Sequence, residues 1–142
     1  MIIKDLKNCF AYEGSSIKSC FINLEKSTKQ IIFVINKKKK LLGSLTDGDL
    51  RRAILNNYTI KDKIKYIYNK KPIKCKITTS EIEAENIMLS NKINHLPIVD
   101  SREKIIGFHS FTSTIEKKKS SSTDFVIMAG GKGKRLKPFT NR

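Results

Sequence analysis

Two stretches of the chain carry residues whose types and spacing suit work on phosphate groups. The first is Thr46-Asp47-Gly48-Asp49, followed by Arg51 and Arg52. Gly43 closes an apolar run just before it, and Thr46 stands where a helix begins. A helix N-terminus offers unpaired N–H groups and a partial positive charge, both of which favour a phosphate. The Thr46 hydroxyl adds a donor, and the Asp49 carboxylate one turn on can accept two hydrogen bonds from a ribose diol. Arg51 and Arg52 supply charge that offsets phosphate. The same residues also have a plainer reading, in which Thr46 is an N-cap and Asp49 a favourable first-turn acid. The second stretch is Gly130-Gly131-Lys132-Gly133-Lys134-Arg135-Leu136, which follows the apolar run Phe125-Val126-Ile127-Met128-Ala129. Its glycines let backbone N–H groups approach oxygen atoms while the cations offset their charge. Leu136 occupies the place where the dinucleotide fingerprint needs its last glycine, and the Gly-Lys-Ser/Thr of a P-loop is absent.

Other chemistries find little support. Cys9, Cys20 and Cys75 are odd in number, and no pair has the C-x-x-C spacing, which argues against a disulfide framework and against a zinc site. Reduced core thiols are expected. His95 and His109 have no partners at metal-ligand spacing, so no metal site is expected. No nucleophile–base pair and no pair of carboxylates facing a cleft is legible. The chain carries 29 basic and 13 acidic residues, a net charge of +16. Such a balance points to a polyanionic partner. However, 24 of the basic residues are Lys and only 5 are Arg, and Arg is the side chain that reads phosphate and bases bidentately. Specific nucleic-acid binding is therefore not expected. A run of 18 apolar residues is missing, as is a secretory leader, so a cytoplasmic protein without a membrane partner is expected.

These residues must be positioned by an internal repeat. Ile32–Leu45 aligns with Leu96–His109 without a gap at a shift of 64 residues. Each copy holds an apolar run, an Asn or Asp, a charged turn, two aliphatics and a Gly, which reads as strand, turn, strand. A helix precedes each hairpin, at residues 16–24 and 81–89, with Ser15 or Ser16 and Thr79 or Ser80 placed to cap it. Another helix is predicted over Asp47–Asn57, with Leu50, Ala53 and Ile54 at helical spacing. Between the copies, Ile60, Ile64, Ile67 and Tyr68 form a short amphipathic segment, and Pro72 restarts an extended strand through Ile73 and Ile77. The unit is β-α-β-β-α, twice. Neither half is large enough to bury its sheet alone, so the two are expected to pack together as an α+β pair with pseudo-two-fold symmetry.

The ordered set Gly43-Ser44-Leu45-Thr46-Asp47-Gly48-Asp49-Leu50-Arg51-Arg52, Asn69-Lys70-Lys71-Pro72 and His95-Leu96-Pro97-Ile98-Val99-Asp100 resembles a tandem pair of CBS domains. The resemblance covers residues from about 8 to 116, with the first domain at 1–60 and the second at 61–116. It implies a regulatory pair that binds an adenosine nucleotide (AMP, ADP or ATP), with Thr46 near phosphate, Asp49 on the ribose, and Arg51 and Arg52 beside them. It also implies a homodimer. The second half departs from the pattern, because Ser110 and Ser113 stand in the places of Thr46 and Asp49. Ser113 offers no charged ribose acceptor, so one nucleotide per chain is expected.

After Glu116 the composition shifts. Residues 117–123 read as a polar linker, and 124–142 as a strand and loop. The run Ala129-Gly130-Gly131-Lys132-Gly133-Lys134-Arg135-Leu136, then Pro138 and Thr140, resembles the N-terminal signature of sugar-phosphate nucleotidyltransferases. That resemblance places Gly130, Gly131 and Gly133 around a nucleoside triphosphate and Arg135 on its phosphates. The parent reaction it implies joins a nucleoside triphosphate to a sugar 1-phosphate and releases pyrophosphate, with Mg2+. The domain order resembles that of guanylyltransferases of legionaminic-type sugar pathways. The 142 residues then form a regulatory region with the truncated start of an α/β catalytic domain, and no catalysis is expected of them alone. Two other readings stay open. One is a dimerisation module without a ligand. The other is a nucleic-acid binder acting through charge.

Overall fold

A computed structural model describes residues 2–27 and 29–111. The elements run β1 (Ile2–Ile3), β2 (Phe10–Ala11), α1 (Ile17–Ser27), β3 (Ile31–Ile35), β4 (Leu41–Thr46) and α2 (Asp47–Leu55), then a 3-10 turn at Ile64–Tyr66. The second half continues with β5 (Cys75–Lys76), α3 (Glu81–Ser90), β6 (His95–Val99) and β7 (Ile105–Ser110). No helix among the described residues is long and apolar enough to cross a membrane.

The repeat is reproduced residue by residue in the hairpins. Val34 faces Gly43, Ile35 faces Leu41, and the register shifts between them; Ile98 faces Gly107, Val99 faces Ile105, with the same shift. Each turn is held by one side chain. Asn36 Oδ1 accepts from the Lys38 and Lys40 N–H groups, and Asp100 Oδ1 accepts from those of Arg102 and Lys104. Lys39 and Glu103 sit at the same place in the two turns with φ of 60° and 62°. The turns meet, for Leu41 N–H donates to the Glu103 carbonyl, and Lys40 bridges to Lys104, its own counterpart in the repeat. The pseudo-two-fold axis therefore passes between those two lysines.

Two sheets lie face to face, each with helices on its outer side. One sheet has the order β2-β3-β4, the other β1-β7-β6-β5. Strand β3 is buried along its whole length because both of its faces are covered. Ile32 and Val34 pack under α1 and α2, while Ile31, Phe33 and Ile35 meet Ile105 and Phe108 of the other sheet. The Phe33 and Phe108 rings stand 5.3 Å apart at 58°. Burying an aromatic of this size fully is worth on the order of 2 kcal/mol. A third apolar cluster joins Ala84 and Met88 of α3 to Leu96 and Ile98. Cys9, Cys20 and Cys75 are free and buried, and burial pushes the Cys20 thiol up to about 11.

The edges of the sheets are exchanged between the halves. Ile2 and Ile3, at the start of the first half, pair with His109 and Phe108 in the second sheet. Asn69, at the start of the second half, bridges Ser44 in the first sheet. The predicted boundary at residue 60 is crossed by packing as well. Ile64 and Tyr68 lie in the first core, and Ile64 N–H donates to the Ser15 carbonyl.

Three local expectations are revised. The helix predicted to reach Asn57 ends at Leu55, because Asn56 caps it and Asn57 turns into the left-handed region at φ 68°. The strand predicted through Ile73 and Ile77 shrinks to Cys75–Lys76, the residues that meet Ile98 and Val99. The amphipathic segment is a single 3-10 turn with Ile64 inward and Ile60 half exposed.

Candidate functional site

The site is built at the junction of β4 and α2. Thr46 ends the strand with extended φ/ψ and becomes the N-cap of α2, as its residue type dictates. Its hydroxyl accepts from Asp49 N–H at 3.3 Å. In return Asp49 Oδ2 accepts from both the Thr46 N–H and the Thr46 hydroxyl, each at 2.8 Å. Such a reciprocal box fixes the first turn of the helix. The other oxygen, Oδ1, accepts from Arg52 Nη2 at 2.7 Å. Arg51 pairs instead with Asp47 at 2.7 Å, one turn apart on an exposed face. The four residues named from the sequence are therefore together, and the chain's own donors already engage three of Asp49's acceptor positions.

These residues line one side of a cleft of about 1000 Å3 between the halves, at the upper end of the roughly 300–1,000 Å3 usual for small-molecule sites. Asn69 enters from the connection and Lys92, Asn94 and His95 from the second half. Sequence reasoning missed these last three. From the sequence His95 is weighed as a metal ligand and stands at the head of the His95–Asp100 stretch, with no ligand contact assigned to it, although the repeat itself holds a usable signal. The pseudo-two-fold axis brings the start of β6 next to the end of β4. Lys92 reaches the cleft because it turns into the left-handed region at φ 52° after the Asn91 cap of α3. Burial holds His95 below the usual histidine range, against a hydrogen bond to the Lys29 backbone that favours its charged form. Its ring lies 5.8 Å from that of Phe108.

Charges in the cleft nearly balance. Arg51, Arg52 and Lys92 stand against Glu25, Asp47 and Asp49. With two arginines tied to two aspartates, an incoming anion gains most by taking over an arginine. Chemically the arrangement can bind a diol with Asp49 and an anion with the Thr46 hydroxyl and the arginines. It holds no nucleophile positioned by a base. Among the described residues no group of three or more His, Cys, Asp or Glu side chains is placed to hold a metal. Ser110, the counterpart of Thr46, is buried at the end of β7 opposite His95. Ser113 and the loop residues Gly130, Gly131, Gly133 and Arg135 lie outside the described residues.

Comparison with known proteins bears on this geometry. The family described as CBS domain matches residues 63–108. An uncharacterized protein of Helicobacter pylori strain J99 is 30% identical over 95 residues, which is 66% of this chain and 29% of that protein. The arabinose 5-phosphate isomerase KdsD of Pseudomonas aeruginosa is 29% identical over 98 residues, again 66% of this chain and 29% of the relative. The chain thus spans less than a third of the length of these curated relatives. Among solved structures, the CBS domain pair of protein MJ0100, in complex with 5′-methylthioadenosine and S-adenosyl-L-methionine, has a TM-score of 0.70 at 20% identity, covering 84% of this chain and 99% of that one. CBSX2 in complex with AMP has a TM-score of 0.70 at 19% identity, covering 83% and 92%. The cytosolic domain of the Mg2+ channel MgtE in complex with ATP reaches 0.64 at 19% identity, covering 76% and 44%. At these identities the likeness is one of fold: the mixed α+β arrangement of sheets and three helices is that of a CBS-domain pair.

Proposed function

We propose that this CBS-pair fold serves as a regulatory module that binds one adenosine nucleotide per chain in the cleft between its halves. Asp49 accepts the ribose hydroxyls, while the Thr46 hydroxyl, Arg51 and Arg52 receive the phosphate. The observation that carries this reading is the Thr46–Asp49 pair on the wall of a cleft to which Lys92, Asn94 and His95 of the second half contribute. The adenosine ligands of the three solved neighbours support the same class of ligand. The pair is read as regulating a sugar-1-phosphate nucleotidyltransferase, whose catalytic domain begins at residues 124–142 and closes Gly130, Gly131, Gly133 and Arg135 on its triphosphate, with Mg2+. Arabinose 5-phosphate isomerases among the relatives indicate that comparable segments accompany other sugar-phosphate enzymes. Two copies are expected to associate, and buried, reduced thiols fit a cytoplasmic setting.

Titration calorimetry of the chain with AMP, ADP, ATP and GTP tests the reading. One site per chain for an adenine nucleotide, weakened at least tenfold in Asp49→Asn, is the expected result. The Asn variant keeps an acceptor for the Thr46 N–H, so the helix cap survives while the charged ribose acceptor is lost. An absence of binding by all four nucleotides overturns the proposal and leaves a dimerising scaffold.

A further inference from the structure

The cleft does not end at Asp49. Asp49, Arg52 and Asn56 follow one another at helical spacing along one side of α2. They line a continuation of about 310 Å3, walled opposite by Tyr58, Tyr66 and Ile67. That continuation runs into a hollow of about 720 Å3, to which Asn56, Asn57, Tyr58, Lys61, Lys63 and Tyr66 contribute. Asp49 and Arg52 belong to both the cleft and the continuation, and Asn56, Tyr58 and Tyr66 to both the continuation and the hollow. The three spaces adjoin in series through these shared residues, a groove with Arg52 between the cleft and the continuation. From Asp49 to Asn56 is seven residues of helix, about 10 Å. A mononucleotide with its ribose on Asp49 and its phosphate on Arg52 leaves the far hollow empty.

We infer that the groove takes a nucleotide sugar: a nucleoside diphosphate joined through its second phosphate to a hydroxylated sugar. This inference rests on the nucleotide reading of the cleft. The nucleoside lies in the cleft and the diphosphate passes Arg52, which exchanges Asp49 for phosphate. The sugar lies in the hollow. Three features select a sugar over further phosphate. The hollow stands at the C-terminal end of α2, whose partial negative charge disfavours an anion and, together with Asp62, offsets Lys61 and Lys63. Asn56 and Asn57 each bring an amide that both donates and accepts, as a hydroxyl does. Tyr66, 71% exposed, offers a flat apolar ring face and a hydroxyl. A ligand of this class is also what the proposed parent reaction makes, which would place the module in feedback control by product.

Calorimetry on the whole chain tests this with ADP against ADP-glucose, and with GDP against GDP-mannose so that the base does not decide the outcome. The matched variant is Tyr66→Ala, which removes an exposed ring from the wall that the continuation and the hollow share. In at least one pair the nucleotide sugar is expected to bind ten times tighter or more than its diphosphate, and Tyr66→Ala to close that gap by weakening the nucleotide sugar more than the diphosphate. Equal affinity within both pairs, or indifference to Tyr66→Ala, overturns the inference and leaves the nucleotide site standing. Diadenosine tetraphosphate binding tighter than either sugar nucleotide, and depending on Tyr66, overturns it in favour of a second nucleoside. If neither diphosphate nor sugar nucleotide binds, the inference falls, and the nucleotide reading is decided by AMP and ATP.

Discussion

Asp49 is a carboxylate with little capacity to spare. Oδ2 already accepts two hydrogen bonds from Thr46, and Oδ1 accepts one from Arg52. A carboxylate has about four lone-pair sites, so a diol finds one open position and must displace Arg52 for the second. The two readings of Thr46 and Asp49 that the sequence leaves open, helix cap and ligand site, thus describe the same atoms. The capping role is measurable by itself. Thr46→Ala is expected to cost about 1 kcal/mol, lowering Tm by roughly 4–8 °C in a thermal melt, while Thr46→Ser stays near the wild type. His109 carries a second residue-scale prediction. It is buried opposite Leu96, its Nε2 has no hydrogen-bond partner among the described residues, and burial holds it below the usual histidine range, with Glu81 and Glu85 partly opposing. The unfolded chain therefore takes up this proton first as pH falls through about 6.5, and stability present above that pH is lost below it. Its counterpart in the first half is Leu45, buried in the other core. His109→Leu is expected to narrow the difference in Tm between about pH 7.5 and pH 5, the remainder coming in part from His95, whose shift has the same sign. Residues 92–95 illustrate what single positions cannot reveal. Nothing local to Lys92, Asn94 or His95 announces a cleft, because the wall they complete belongs to the other half.

At the scale of elements, the hairpins were legible in full, turn by turn, since strand patterning and turn chemistry agree over both copies. The helix caps were legible to within one residue: Ser16 and Ser80 each accept from the third residue on. What escaped was where chain leaves one half for the other, because edge pairing leaves almost no trace in hydrophobic pattern. One trace did exist in the repeated glycine. A Cβ on Gly43 would stand 2.2 Å from the Asn69 carbonyl oxygen and 2.4 Å from the Tyr68 ring. On Gly107 it would stand 3.0 Å from the Ile3 carbonyl oxygen. Both glycines make room for the crossing segment, and they do so to different degrees. Gly43→Ala must push backbone away from a site where Tyr68 also donates to Glu13 at 2.6 Å, so a loss of about 3 kcal/mol is expected. Gly107→Ala needs only a few tenths of an ångström and should cost about 1 kcal/mol. Urea midpoints of the two variants check the order, and a larger loss for Gly107→Ala would mean that the crossings are not what the glycines serve.

For the molecule as a whole, each half lends an edge to the other and both contribute to the core around Phe33 and Phe108. The halves are thus expected to unfold in one cooperative step, despite each having a complete hairpin and helix of its own. Hydrogen exchange offers the check. Deleting residues 1–3 should lower amide protection at Phe108 and His109 and also through β3, whereas loss confined to β7 would mean that the halves are thermodynamically separate. The same exchange dictates an order of events during synthesis on the ribosome. Ile2 and Ile3 have nowhere to pair until β7, the last described strand, has left the exit tunnel. The first sheet likewise waits for Asn69 before its open edge at Ser44 is covered. A nascent chain carries those apolar residues uncovered until β7 has followed them, a state that invites association with neighbours. Polysomes crowded with such chains would bring two copies together at the moment when their edges are still vacant, so partner choice and the closing of the two sheets would be decided in the same few seconds.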